Sequence, residues 1–215
     1  MNKTEFAFLT DKGKRENKED FYGNVGDEFF VVADGVGGYA AGEIASKLAV
    51  EKALESFKKA KGEEVELEEI FKAANKEILQ SAEKNPDWVG MGTTFVVAIL
   101  QLNEVTIGNV GDSRAYIISD AVLRQISKDD RDEVGFLTDF IGIGERVRSH
   151  LSKTEVKKGD LILLCTDGLT DFVQEKVIEK VLASEVNLKN KAQGLIDAAL
   201  QFGSTDNITV SLIAV

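Results

Sequence analysis

The chain reads as an α+β protein whose sheets pack on each other and whose helices cover the outside. Three observations point there. Phe29-Phe-Val-Val-Ala33 and Leu161-Ile-Leu-Leu-Cys165 are short, wholly apolar runs, which suits strands covered on both faces. Four stretches carry apolar residues at helical spacing and fall into two pairs. Between the pairs lies a long region rich in Thr, Val and Ile, the residues that strands favour. Sheets in such a chain bury their apolar faces against each other and against helices.

In chain order, residues 5–10 alternate weakly and suit an edge strand. Thr10 to Asp20 is polar and reads as a loop; its bland alternative is a solvated charge run. Gly26-Asp27 looks like a hairpin turn into the strand at 29–33. A helix is expected over 40–60, from apolar positions 41, 44, 45, 48, 49, 53 and 57, with Gly62 ending it. Leu67, Ile70, Phe71, Ala74 and Ile78 mark a second helix, closed by Asn85-Pro86. Thr93 to Leu100 is a strand, and Val105 to Val110 and Arg114 to Ile118 flank Gly111-Asp-Ser113 as a meander. Leu123 to Ile126 adds a short strand. Residues 127–149 have little pattern and read as loop. Glu155 to Asp160 turns into the strand at 161–165. Val177, Ile178, Val181 and Leu182 mark a third helix, and Leu188, Ala192, Leu195, Ile196 and Ala199 a fourth, stopped by Gly203. Asp206-Asn207 opens a last strand, Ile208 to Val215. No repeat, linker or low-complexity segment divides the 215 residues, so a single domain over 1–215 is expected.

Composition narrows the function classes. Apolar residues make up 43% and charged residues 29%, an ordinary soluble composition. No aliphatic run is long enough to span a bilayer, and the N-terminus has no apolar signal core. One cysteine, Cys165, excludes an internal disulfide and reads as an inert buried thiol. Together these point to the cytoplasm. A net charge of −11 argues against general nucleic-acid or anionic-membrane binding. Part of the acidity has a functional reading, because carboxylates gathered at one place repel each other unless a cation neutralises them.

Asp20, Asp34, Asp112, Asp167 and Asp206 each stand at a strand end or in a tight loop beside a strand. Asp34 ends the first apolar strand and is followed by Gly35; Asp167 ends the second and is followed by Gly168. A carboxylate there sits on a rigid support, and a neighbouring glycine allows close backbone approach to a ligand. The bland alternative is an Asp-Gly turn between strand and helix. Carboxylate oxygens suit Mg²⁺ or Mn²⁺, whereas zinc more often recruits His and Cys. The one histidine, His150, falls in the unpatterned stretch and is expected at the surface. Its isolation also disfavours a Ser-His-Asp hydrolase.

Six stretches, in order along nearly the whole chain, give a resemblance. They are Thr10 to Asp20, Ala33 to Ser46, Met91-Gly-Thr-Thr94, Asn109 to Tyr116, Leu163 to Leu169 and Asp206-Asn-Ile-Thr-Val210. In these the chain resembles the metal-dependent Ser/Thr protein phosphatases, the type 2C or PPM family, in their compact bacterial form. The resemblance implies a four-layer α-β-β-α sandwich: two packed antiparallel sheets flanked by helix pairs. It implies hydrolysis of phosphoserine and phosphothreonine by a water activated at a binuclear Mn²⁺ or Mg²⁺ centre. Asp34 would bridge the two ions, Asp167 and Asp206 would complete the first, and the Gly35 carbonyl would serve the second. Glu19 and Asp20 would act largely through waters, and Asp112 with Asp167 would hold a weaker third ion. Arg15 would grip the substrate phosphate, a task suited to the guanidinium fork. The resemblance thus implies Arg15, Asp20 and Asp34 as the catalytic residues. Val36 follows the first Asp-Gly where some relatives have a protonating His, so water is expected as the proton donor. Partners implied are phosphorylated Ser/Thr proteins, including a Ser/Thr protein kinase, with no nucleic acid, no membrane and a monomeric state.

One departure is plain. Bacterial relatives carry a helical flap of some two dozen residues between the strand after Gly-Asp-Ser-Arg and the strand before the second Asp-Gly. Here Asp129-Asp-Arg-Asp-Glu133 runs almost at once into Val134-Gly-Phe-Leu-Thr138, and Asp139 stands where relatives often have Arg. The flap borders the active site, so substrate choice and the third ion are the features that its loss touches. Two other functions fit the same fold: a phosphoprotein-binding pseudophosphatase, which loss of a metal-site Asp would favour, and a phosphatase of small phosphate esters.

Overall fold

The computed structural model describes residues 4–36, 41–60 and 66–215. Gly37, Gly38, the expected helix start at Ala40 and the expected stop at Gly62 lie outside them. Among the described residues ten strands form two five-stranded antiparallel sheets. One sheet has the order β1 (Glu5–Asp11), β10 (Ile208–Ala214), β9 (Leu161–Cys165), β6 (Arg114–Ser119), β7 (Val122–Gln125). The other has the order β2 (Asp20–Val25), β3 (Phe29–Asp34), β4 (Phe95–Gln101), β5 (Glu104–Val110), β8 (His150–Glu155). Helices α1 (Gly42–Lys59) and α2 (Leu67–Lys84) cover the second sheet; the short α3 (Asp167–Thr170), α4 (Glu175–Leu182) and α5 (Leu188–Gln201) accompany the first.

The apolar runs now have a reason. Along β3, Phe29, Val31 and Ala33 face the α1–α2 pair, while Phe30 and Val32 face the other sheet. Along β4, Phe95, Val97 and Ile99 face the helices, and Val96 and Ala98 face the sheet. In β9 and β10, Leu163, Cys165, Val210 and Leu212 pack on the α3–α5 side, and Ile162, Leu164 and Ile213 fill the middle. Strand side chains alternate between faces, so only a strand with cover on both sides can be apolar at every position. Three apolar layers between four structural layers make the α-β-β-α sandwich. Emptying one large position, such as Phe30 or Phe95, costs about 3–5 kcal/mol.

Three elements differ from the sequence reading. β5 and β6 are not neighbours in a meander: Gly111-Asp112-Ser113 carries the chain from one sheet to the other. Gly111 turns there with φ of 95°, and the Ser113 hydroxyl meets Thr94 Oγ1 at 2.7 Å, which ties the crossing to β4's approach. His150 opens a strand, β8, instead of lying in a loop, and its Nε2 is 2.7 Å from Asp130 Oδ1. A helical turn, α3, begins at Asp167 itself. Residues 127–149 are indeed loop, but not loose: Phe140 and Ile141 are buried, and Ile141 and Thr93 exchange backbone hydrogen bonds.

Candidate metal centre

Asp34 is fixed from three directions. Its strand register sets it opposite Asp20 of β2. Its backbone N–H donates to Thr94 Oγ1 at 3.1 Å, and its carbonyl accepts from Thr94 N at 2.8 Å and Thr93 Oγ1 at 2.7 Å. The Gly-Thr-Thr step of the sequence therefore serves to clamp this residue. Gly35 is required next to it, since a Cβ there would overlap the backbone of Gly42 at the start of α1. Gly168 has the matching role after Asp167, where a Cβ would overlap the Asn207 carbonyl. The glycine in each Asp-Gly pair thus answers to a close backbone approach.

The polar loop 12–19 is held by Asn207. The Asn207 amide oxygen accepts from the N–H of Glu19 at 2.5 Å and of Asp20 at 3.4 Å, and its NH₂ donates to the carbonyls of Lys12 and Asn17. Its own N–H donates to Asp206 Oδ1 at 2.8 Å. One buried amide so aligns both the loop bearing Arg15 and Glu19 and the carboxylate of Asp206. Asp20 is 2% exposed; its Oδ2 accepts from Thr166 Oγ1 at 2.9 Å, across the sheet-to-sheet junction.

Arg15, Glu19, Asp34, Gly35, Asp112, Asp167 and Asp206 line one open cleft of about 360 Å³. Seven of the eight site residues expected from the sequence line this cleft; Asp20 does not, being buried beside Asp34 in the strand register. Burial first, and then Asp20, Asp167, Asp206 and Asp112, hold the Asp34 carboxyl well above the usual range. Burial followed by Asp112 and Asp171 pushes Asp167 up to about 7, against the pull of Arg131. Burial raises Glu19 and Asp112 as well. Carboxylates that mutually oppose ionisation this way are relieved by a cation.

Among the described residues no three carboxylates converge as a finished coordination sphere. Two arginines stand among them. Arg15 Nη2 donates to Asp206 Oδ2 at 2.6 Å, and its side chain is half exposed at the rim. Arg131 lies on Asp112, Asp167 and Asp171. The donor set nevertheless fits hard divalent ions: it is all oxygen, it is crowded with negative charge, and buried Asp20 Oδ1 has no hydrogen-bond partner among the described residues.

Asp171, Arg131 and Phe136 are among the cleft residues that the sequence reading does not single out. Asp171 had a signal, since it lies four positions after Asp167, and at a helix start that spacing shares a face. Arg131 had only a faint one, as the single cation within Asp129 to Glu133. Phe136, which lines the cleft while 70% exposed, had none.

Comparison with known proteins agrees with this geometry. The protein phosphatase 2C family profile matches residues 14–201. The serine/threonine phosphatase stp of Listeria monocytogenes is 35% identical over 236 aligned residues, covering 96% of this chain and 94% of that protein. The aligned length exceeds this chain's 215 residues, so the relative carries insertions that this chain lacks. Among solved structures, the catalytic domain of the serine/threonine phosphatase PstP in complex with two manganese ions matches with a TM-score of 0.90 and 32% identity, over 98% of this chain and 97% of that one. A serine/threonine phosphatase from Staphylococcus aureus matches with a TM-score of 0.90 and 31% identity, over 98% and 94%.

Proposed function

We propose a division of labour within the cleft from this premise: the chain belongs to the protein phosphatase 2C family and is a metal-dependent protein serine/threonine phosphatase using Mn²⁺ or Mg²⁺. The observation that supports it best is the meeting of Asp34, Asp112, Asp167 and Asp206 in one cleft with Arg15 at the rim, although they come from four separate parts of the chain. Asp34, Asp167 and Asp206 are the ligand carboxylates in this reading, with the Gly35 carbonyl beside them and Glu19 at the wall. When bound, the ions supply an acidified water and screen the phosphate's negative charge.

The chain's own residues do the rest. Arg15 pairs with Asp206 through one nitrogen, which leaves the fork able to meet a phosphate at the rim. Asp20 supports Asp34 from behind. Asn207 and Thr94 hold the backbone of the two catalytic loops so that little reorganisation is needed on binding. Among the described residues the cleft has no Ser, Cys or His side chain, and with its carboxylates assigned to the ions the attack in this reading falls to a water.

The enzyme acts on phosphoproteins. We extend the substrate class to a phosphorylated Ser/Thr protein kinase, whose phosphothreonine segments have the chemistry this open cleft accepts. A single catalytic domain over 1–215 is supported by the three continuous apolar layers, which join β1 to β10 in one sheet. Cys165, a buried free thiol, is compatible with the cytoplasm. No helix among the described residues is long and apolar enough to cross a membrane. A monomer is the proposed state, to be checked by light scattering. The deciding experiment is phosphate release from a phosphothreonine peptide with Mn²⁺, with chelator, and with Asp34→Ala. Turnover undiminished by thorough chelation overturns the assignment.

A further inference from the structure

Building on the reading of Asp34, Asp167 and Asp206 as ligands of a binuclear centre, we propose that Arg131 is a fixed cation of this active site. Its guanidinium lies on Asp112, Asp167 and Asp171, where it takes the place that one more divalent ion would have. The chain then binds two ions and does not build up a third.

The contacts use every nitrogen of the fork. Nε donates to Asp112 Oδ2 at 2.6 Å, Nη2 to Asp167 Oδ2 at 3.1 Å, and Nη1 and Nη2 to the two oxygens of Asp171 at 2.9 and 3.0 Å. Charge-assisted and bidentate bonds of this kind are the strong ones, and a planar guanidinium suits them where an ammonium would not. The Asp112 side chain is 8% exposed. A carboxylate that buried needs a positive partner, and the chain supplies one itself. Asp167 meets Arg131 through Oδ2 alone.

The loop is constructed to put the arginine there. Asp132 Oδ1 accepts from the N–H groups of Val134 and Phe136, closing the turn just after Arg131. Thr138 N donates to Asp130 O at 2.7 Å across the same turn. Asp130 is tied both ways to Gly111: its N–H donates to Gly111 O at 3.0 Å, and its Oδ2 accepts from Gly111 N at 2.9 Å. The residue before Arg131 is therefore locked to the residue before Asp112. A long side chain projected from so short a tether meets that carboxylate with little loss of further entropy. A divalent ion at this end would draw on the same two carboxylates, Asp112 and Asp167, whose Oδ2 atoms already meet Arg131, so the two cations compete for them.

The test counts ions on the intact, metal-free chain. Mn²⁺ is titrated to roughly millimolar, the range in which weak carboxylate sites fill, and the free ion is read by electron paramagnetic resonance. Wild type should plateau at two ions per chain, and Asp112→Asn should leave that plateau unchanged. Arg131→Ala should take up one further ion, lost again in Arg131→Ala/Asp112→Asn. A third ion on wild type that Asp112→Asn removes overturns the proposal. So does an Arg131→Ala protein, folded by circular dichroism, that still stops at two. If Arg131→Ala does not fold, wild type against Asp112→Asn decides alone. Asp34→Ala serves as the separate control: an unchanged count there refutes the binuclear assignment, whereas the wild type to Arg131→Ala difference judges only the arginine.

Discussion

Asp34 and Arg131 line the same cleft from supports of different kinds. Asp34 ends a strand in the interior of its sheet, with backbone hydrogen bonds to Thr94 on both its N–H and its carbonyl. Arg131 sits in a connection that has no strand or helix of its own between β7 and β8. The first support is held by layers of apolar side chains, the second by side-chain oxygens that cap individual N–H groups. Chemistry placed on the first can change only if the core changes. Charge and shape placed on the second can be rewritten by a short deletion, which is the pattern expected where loops carry specificity on a rigid scaffold.

Breaking the strand-borne side should have the largest effect. Asp34→Ala should lower kcat/KM about a thousandfold or more, equivalent to about 4 kcal/mol of barrier. The metal-free protein should melt no lower, and even higher, because its buried carboxyl opposes ionisation against four acidic neighbours. Phosphopeptide turnover and a melting curve in chelator check the two halves. Near wild-type turnover would remove Asp34 from the centre.

Arg15→Ala comes next, at the rim. Losing one charge-assisted contact costs about 1.5–3 kcal/mol, or roughly ten- to a hundredfold in kcat/KM with a phosphothreonine peptide. An unchanged value would leave Arg15 as only the partner of Asp206.

Asn207→Ala sharpens the comparison by attacking a support without touching a ligand carboxylate. Removing the side-chain partner of two backbone N–H groups and two carbonyls costs about 1–3 kcal/mol or more. Unfolding in urea should show that loss, and metal affinity should weaken as the 12–19 loop loosens. A variant as stable as wild type would mean that the loop is held by its other contacts, among them Ser46 Oγ on the Glu19 carbonyl, Lys14 N on the Thr205 carbonyl and the Arg15–Asp206 pair.

Phe136→Ala, on the loop-borne side, should be the mildest. The ring is 70% exposed, so stability should shift by less than about 0.5 kcal/mol. With so little loop to contact flanking residues, wild type should accept varied phosphothreonine peptides with similar kcat/KM and also hydrolyse p-nitrophenyl phosphate. Lost contacts of about 1–3 kcal/mol each are the expected source of that breadth. Phe136→Ala should flatten the remaining preferences a few-fold. Discrimination of a thousandfold among peptides in wild type would show that other loops read the sequence.

Much of this was legible beforehand because it is local. Helix spacing placed α2, α4 and α5 near their observed spans, and apolar runs ending in Asp-Gly marked β3 and β9 with their carboxylates. A strand closing on Asp, followed by a glycine, needs only neighbouring residues to be recognised. The sheet assignment was not local. Each central strand is apolar on both faces, so nothing in its pattern says which sheet it joins, and β5 and β6 could not be told apart from neighbours. Arg131 shows the same limit at a single side chain. Its partners lie 19, 36 and 40 residues away, and only the packing of both sheets brings Asp112, Asp167 and Asp171 within reach of one guanidinium. The sequence by itself determined which carboxylates end strands and that they would want a hard cation, because strand ends and glycines are written locally. The tertiary structure decided which cation the Asp112 end receives, because an ion pair depends on distances that close only when the whole chain has folded.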